Sequence, residues 1–120
     1  AEKGHAKCIR FLLAAPGIDV NKTNPYGKTP LFAAVANGHT ECVRALLTAP
    51  RININKADYY KITPLLCAAQ NGHTGCVRAL LAAPRIDIDK EDKNGYEPLY
   101  WAVKNNHTEC AELIREAGGR

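Results

Sequence analysis

The apolar positions of two segments fall on one helical stripe. The segments are "TECVRALLTA" from residue 40 and "TGCVRALLAA" from residue 74. In the first, apolar residues recur at i, i+1, i+4 and i+5, which is typical of one buried face of an amphipathic helix. These residues are Cys42, Val43, Leu46 and Leu47. Pro50 and Pro84 follow the two segments and predict where each helix stops.

A shorter, alanine-rich helix is predicted before each of these. Its sequence is "LFAAVANG" in one place and "LLCAAQNG" in the other. Thr29 and Thr63 can cap the helix N-terminus, and Pro30 and Pro64 occupy the first helical position, where a missing N–H costs nothing. The glycine of the "NG" step ends the helix. The next stretch, "RININKADYYK", favours an extended, hairpin-like connection.

These elements recur every 34 residues. The landmarks are His5, His39, His73 and His107, with Cys8, Cys42, Cys76 and Cys110 three positions after them. The "TPL" of residues 29–31 returns at 63–65 and as "EPL" at 97–99. A constant period of this length predicts stacked units, each of which needs a neighbour to bury its apolar face.

The combination of "TPL" starts, "NGH" steps, "ALL" cores and "IDVN"/"ININ"/"IDID" connections resembles ankyrin repeats over essentially all 120 residues. The resemblance implies an all-α solenoid of helix-turn-helix units joined by hairpin-like turns. Two departures are a period of 34 rather than 33, with Pro where Gly is usual, and the absence of the family's histidine after "TPL". Phe32, Leu66 and Tyr100 stand in its place.

The chain is predicted to be one domain of about three and a half repeats. We expect a partial repeat over 1–22, full repeats over 23–56 and 57–90, and a C-terminal repeat over 91–120. Arg115 replaces the leucine found at 47 and 81. A terminal repeat needs a polar outer face, and Arg115 supplies part of one.

The repeats agree in one half and disagree in the other. Residues 37–56 and 71–90 are identical at 16 of 20 positions, whereas 23–36 and 57–70 are identical at 5 of 14. Seven of the eight aromatic residues lie in the variable windows 23–36, 57–70 and 91–104. Packing explains the uniform half. The variable half requires another reason, and Tyr and Trp are the residues that protein interfaces favour.

In the ankyrin family, the turn tips and the inner face of the first helices form the usual binding surface. Carried over by position, the predicted partner-binding residues are Tyr26, Lys28, Phe32, Tyr59, Tyr60, Ile62, Leu66, Gln70, Lys93, Asn94, Tyr96, Tyr100, Trp101 and Lys104. The alternative for Phe32, Tyr100 and Trp101 is that they fill space between repeats.

Lys61 occupies the turn position held by Gly27 and Gly95. A lysine there is expected to strain a left-handed turn. A role in binding a partner explains the replacement of glycine by lysine better than a role in folding does.

A uniform frame with variation on one face resembles an engineered ankyrin-repeat binder. A natural array with recently duplicated repeats has the same pattern, and one sequence does not separate the two; we favour the engineered origin.

Composition narrows the remaining classes. A net charge of +4 falls short of a nucleic-acid signature. No apolar run is long enough to span a membrane. Evenly spaced cysteines are expected to be small buried thiols rather than a disulfide framework, which favours a cytoplasmic or other reducing compartment for a natural protein, or a recombinant product for an engineered one.

We expect no catalytic residue, metal or cofactor. Each His-x-x-Cys pair offers two ligands, and stacked helices lie about 8–10 Å apart, too far for two pairs to share a zinc ion. The sequence contains no Ser, and Cys67, the cysteine outside the period, has no periodic His near it.

The sequence therefore predicts a non-enzymatic module that docks a folded protein partner of unknown identity. The rivals are a scaffold with a structural role only and, less favoured, a single-stranded nucleic-acid binder. Self-association through the aromatic residues is a further alternative.

Overall fold

The computed structural model describes residues 21–49 and 51–119, and these form three pairs of short helices. The first helices of the pairs are α1 (Pro30–Ala36), α3 (Pro64–Asn71) and α5 (Pro98–Lys104). The second helices are α2 (Thr40–Leu47), α4 (Thr74–Leu81) and α6 (Thr108–Glu116). Within these described ranges there is no strand, so the predicted all-α repeat solenoid is confirmed.

The helices pack in two layers. α1, α3 and α5 stack in sequence as one layer, α2, α4 and α6 stack as the other, and each pair packs across the layers. Leu31, Leu65 and Leu80 are almost completely buried between them. Each apolar face is thus covered by a neighbouring repeat, as the repeat period predicted.

The N-caps predicted at Thr29 and Thr63 are both confirmed. Oγ1 of Thr29 accepts a hydrogen bond from the Phe32 N–H, and Oγ1 of Thr63 accepts one from the Leu66 N–H, both at 3.2 Å. Glu97 takes this position before α5, and its side chain makes no capping hydrogen bond. The third repeat of this series therefore lacks a cap that the other two possess.

The second helices end three residues before the prolines, at Leu47 and Leu81. Pro50 lies outside the described residues, and Pro84 follows α4 without contributing to its last turn. In the buried stripe, Cys42, Val43 and Leu46 are buried, whereas Leu47 is half-buried. The stripe is therefore one residue narrower than predicted.

Turns, rather than strands, connect the repeats. Asn21 and Asn55 bridge successive connections: the Asn55 Nδ2 donates to the Arg85 carbonyl at 2.9 Å, and its Oδ1 accepts from the Asp87 N–H at 2.8 Å. Asn21 makes the same two bonds, to the Arg51 carbonyl and from the Asn53 N–H. Each asparagine therefore holds its own repeat to the next.

The periodic histidines also contact the preceding repeat. The His73 ring lies against Gly38, and the His107 ring lies against Gly72. Nε2 of His107 is 3.1 Å from the Gln70 carbonyl oxygen. These contacts agree with a structural role for the histidines. His5 and the predicted partial repeat over 1–22 fall almost entirely outside the described residues.

The periodic cysteines are not all thiols. Cys76 and Cys110 are buried and free, as predicted, and each lies near a threonine of the preceding second helix, Thr40 or Thr74. Cys42 is buried but disulfide-bonded. The prediction of a thiol at every periodic position is therefore wrong at Cys42, while Cys8 lies outside the described residues.

Replacing Glu97 by Thr should install the missing cap. The Thr hydroxyl would accept the N–H of residue 100 as Thr29 and Thr63 do for their helices, raising the free energy of unfolding by about 1 kcal/mol. Urea denaturation followed by circular dichroism measures the change. The matched control is Thr63→Ala, which should lower stability by a similar amount; equal stability of all three proteins would contradict this role for the caps.

Candidate functional site

Three turn tips precede the first helices and share one hydrogen-bond pattern. In each tip, the first residue is Asn24, Asp58 or Asp92, and its Oδ1 accepts two backbone N–H groups, two and four residues further on. The backbone N–H of that same residue donates to the carbonyl four residues on, at 2.9–3.0 Å. One side-chain oxygen thus fixes the shape of each tip.

The fourth residue of each tip has a positive φ. The value is 80° at Gly27, 61° at Lys61 and 84° at Gly95. The predicted left-handed conformation of Lys61 is therefore confirmed. Glycine adopts this region freely, whereas a side chain with a Cβ does so at a cost.

The first two tips contact each other directly. The Tyr59 N–H donates to the Tyr26 carbonyl at 3.2 Å. The Tyr59 ring lies against Gly27, where a Cβ would come within 2.6 Å of Cδ1. A larger residue at position 27 would collide with this ring. The hydrogen bond and the ring contact together join the two tips into one continuous ridge.

The exposed aromatic side chains come from these tips. The exposed fractions are 63% for Tyr26, 74% for Tyr59, 56% for Tyr60 and 38% for Tyr96. Among the described residues, Val103 is the only other large hydrophobic residue with comparable exposure. Large apolar side chains that stay in solvent are the feature that marks an interaction surface.

A compact aromatic cluster follows the third tip. Tyr96 and Tyr100 stack with ring centroids 4.1 Å apart and an interplanar angle of 10°. Trp101 meets both rings edge-on, at 5.8 Å and 5.3 Å. Its indole Nε1 donates to Oδ2 of Asp92 at 3.0 Å. The cluster is therefore held in place by both ring packing and a partly buried hydrogen bond.

Three lysines lie over aromatic rings along the same surface. Their Nζ-to-centroid distances are 4.6 Å for Lys28 over Phe32, 5.6 Å for Lys93 over Tyr60 and 5.7 Å for Lys104 over Tyr100. Lys28 also pairs with Oδ2 of Asp58 at 3.4 Å. That oxygen is buried and has no hydrogen bond, so the Lys28 charge compensates it inside the protein.

Two of the predicted contact residues lie beneath the surface. Phe32 and Leu66 are buried, with 3% and 0% of their surface exposed. They support the surface but cannot touch a partner, and we remove them from it. Ile62, Gln70, Tyr100 and Trp101 are partly exposed, while Lys93, Asn94 and Lys104 are exposed. We define the tip face as Tyr26, Tyr59, Tyr60, Lys61, Lys93, Asn94, Tyr96, Tyr100, Trp101 and Lys104.

The capping residues Asn24, Asp58 and Asp92 were missed as part of the site. They recur at the 34-residue period, three positions before the residue with positive φ. An Asn or Asp at the start of such a turn hydrogen-bonds the backbone two residues on, so this pattern could have revealed them.

Cys67 does not provide a reactive thiol. It is buried, and burial raises its pKa, although the hydrogen bond from Asn71 acts in the opposite direction. A raised pKa leaves little of the nucleophilic thiolate at neutral pH. Within residues 21–49 and 51–119, no three His, Cys, Asp or Glu side chains are grouped to hold a metal. Nor does this part of the chain contain a helix suited to crossing a membrane.

The opposite layer carries a different feature, an open groove of about 530 Å³ between α2 and α4. Its walls are mainly aliphatic, and Arg44 and Arg85 lie at its edge. Arg44 pairs with Glu41 at 3.1 Å, with both side chains largely in solvent. The periodic arginines therefore lie on a solvent-exposed face that is separate from the tip face.

The sequence matches the profile of the ankyrin repeats, in three copies, over residues 1–58 and 50–119. The chain belongs to the ankyrin-repeat family. No curated protein matches it. Ankyrin repeats are generally protein–protein interaction modules and are typically non-enzymatic.

Replacing Asp92 by Asn should change the acid stability of the domain. Burial acts to raise the Asp92 pKa, but hydrogen bonds from the Tyr96 and Asn94 N–H groups and from Trp101 hold the pKa below its usual value. The unfolded chain, with an Asp pKa of about 3.9, therefore takes up this proton first as the pH falls. The resulting stability is present above that value and is lost as the pH falls through the lower, folded pKa.

Asp92→Asn should lower the free energy of unfolding by about 1 kcal/mol at pH 7, because one amide cannot replace both carboxylate oxygens. It should also flatten the decline in stability below pH 4. Urea unfolding at a series of pH values measures both effects. Glu91→Gln, which changes the exposed neighbouring carboxyl group, is the control; the same pH profile for Asp92→Asn and wild type would contradict the assignment.

Proposed function

We propose that this ankyrin-repeat domain binds a folded protein partner through the tip face. The observation that carries the proposal is the exposure of four tip tyrosines: among the described residues, Val103 is the only other large hydrophobic side chain that is exposed. Tyr and Trp supply large contact areas with few rotatable bonds, and they dominate binding hot spots.

The tip face is organised before any partner arrives. Tyr59 is supported by Gly27, and Tyr96 by its stacking on Tyr100. Trp101 is fixed by Asp92. Immobilising a side chain on binding costs about 0.5–1.5 kcal/mol, so contacts already in place lower the cost of association. The mechanism proposed is rigid-body docking with Tyr59, Tyr60 and the Tyr96–Tyr100 pair as anchors.

Each repeat has a uniform half (residues 37–56 and 71–90) and a variable half (residues 23–36 and 57–70). This division supports a finer proposal, that the frame was engineered or redesigned for binding. A natural array with recently duplicated repeats would use the tip face in the same way. The binding proposal holds for either origin, and the size of the interface is expected to be about 1,200–2,000 Å² in total.

The direct test is capture of a partner by the immobilised domain and by a Tyr59→Ala/Tyr60→Ala variant. Both side chains are exposed, so the variant should fold as wild type does. Candidate proteins, or a lysate treated with nuclease, are passed over each surface, and retained proteins are identified by mass spectrometry. The affinity of each purified candidate is then measured by titration calorimetry.

The expected result is a protein bound by wild type and weakened by about 30-fold or more in the variant, corresponding to about 2 kcal/mol. Arg44→Ala/Arg78→Ala, on the opposite layer, is the matched control and should bind as wild type does. A partner lost only by the arginine variant would assign binding to the other layer. Equal retention by all three proteins would contradict the proposal.

The same proteins also test whether the domain associates with itself. If the tip face instead joins two copies of the chain, sedimentation would show a dimer for wild type and a monomer for Tyr59→Ala/Tyr60→Ala. Retention that disappears with nuclease would point to nucleic acid. Either outcome would overturn docking to a different folded protein.

A further inference from the structure

Lys61 has a backbone conformation that its own side chain disfavours. All three tips have the same hydrogen bonds, and the other two place glycine at this position. A Cβ destabilises the left-handed region, because it comes too close to the following carbonyl oxygen. The second tip therefore stores strain that a single change to glycine would remove.

Nothing around Lys61 offsets that strain in the free domain. Its side chain is exposed, and within the described ranges it has neither a hydrogen bond nor an ion pair. It also lacks the short polar side chain by which Asn or Asp eases this conformation. Local strain without local compensation is typical of residues kept for function.

The charges at the tips leave two lysines unpaired toward solvent. The carboxylates of Asp58 and Asp92 turn inward and hold the turn amides. Lys28 is paired with Asp58. Among the described residues, Lys61 and Lys93 then have no ion-pair partner; both are exposed, and the Lys93 ammonium lies over the Tyr60 ring.

Exposed acidic groups are scarce at the same place. In the tip segments 23–28, 57–62 and 91–96 of the described chain, Glu91 is the one exposed acidic residue. An acidic surface approaching this part of the tip face would therefore gain attraction without strong repulsion.

We propose that Lys61, which follows Tyr60 in the sequence, and Lys93, whose ammonium lies over the Tyr60 ring, bind carboxylates of an acidic surface segment of the protein partner. This rests on the proposed function and specifies the partner's chemistry. The tyrosines supply contact area, whereas Lys61 and Lys93 select Asp or Glu side chains and orient them. The strain at Lys61 is retained because glycine at that position has no charge to offer.

Carboxylates are favoured over the phosphates of a nucleic acid. A nucleic-acid surface needs a broad and dense patch of cations to neutralise many phosphates. The tip face offers three exposed lysines, Lys61, Lys93 and Lys104, and the windows 23–36, 57–70 and 91–104 contain no arginine to add to them.

The test uses hexaglutamate as the probe, added to the ¹⁵N-labelled domain and followed by NMR. Hexaglutamine serves as the neutral control, and a six-nucleotide thymidine oligonucleotide as the phosphate probe. Hexaglutamate should shift the amide signals of residues 59–62 and 92–94 in a salt-sensitive manner. The amide signals around the four periodic arginines, which lie away from the tip face, should shift little. Those arginines are Arg44, Arg51, Arg78 and Arg85.

Two variants separate the charge of Lys61 from its strain. Lys61→Met keeps a side chain in the left-handed position but removes the charge; Lys61→Gly removes both. Both should weaken hexaglutamate binding by about 2- to 5-fold, the range of an exposed ion pair. Lys61→Gly alone should raise the midpoint of thermal unfolding. Adding Lys93→Met to Lys61→Met should weaken binding further.

Shifts that centre on the arginines, or binding unaffected by Lys61→Met, would overturn the proposal. Tighter binding of the oligonucleotide at the same amides would assign the lysines to phosphate instead. A second test uses the partner protein that the immobilised domain captures. If Tyr59→Ala/Tyr60→Ala loses that partner while Lys61→Met retains full affinity, the tip face still binds protein but its proposed preference for acidic groups fails.

Discussion

One side-chain oxygen at the start of each tip determines what the tip can present. Oδ1 of Asn24, Asp58 or Asp92 accepts two backbone N–H groups, and this closes a five-residue turn without using the side chains of the tyrosines within it. The intervening side chains are thereby free to face solvent. Because the frame requires only the first and fourth positions of the tip, the others can vary without loss of the fold.

The two carboxylates extend this role in different ways. Asp92 uses its second oxygen to anchor Trp101, and Asp58 uses its second oxygen to pair with Lys28. The first arrangement rigidifies an aromatic cluster, while the second removes one cation from the surface. The capping residues thus decide both which aromatic rings are fixed and which lysines remain without an ion pair among the described residues.

Most of the fold could be predicted from the sequence because repetition supplies several copies of each local rule. The Thr-Pro helix starts and the left-handed position at Lys61 were evident from their register with equivalent residues. Burial was harder to predict. Phe32 and Leu66 lie at variable positions, yet both are buried, and burial depends on three-dimensional packing that the sequence window alone does not specify.

The exposure of the tip tyrosines could be predicted from the sequence, but the contacts between their side chains and other residues could not. The tyrosine-rich tips were identified, whereas the Trp101–Asp92 bond and the lysine–ring contacts join residues whose distances depend on side-chain rotamers. The bond at Cys42 was unexpected for a similar reason, since periodic spacing alone does not determine which thiols come within bonding distance. Sequence periodicity specifies equivalence between repeats; it does not specify contacts between them.

Amide hydrogen exchange of the domain alone and in complex with its captured partner tests the central claim most directly. The account predicts added protection across the tip segments 24–28, 58–62 and 92–96, with exchange across Thr74–Leu81 of the opposite layer unchanged. Protection confined to α2 and α4, with the tips exchanging as in the free domain, would contradict it.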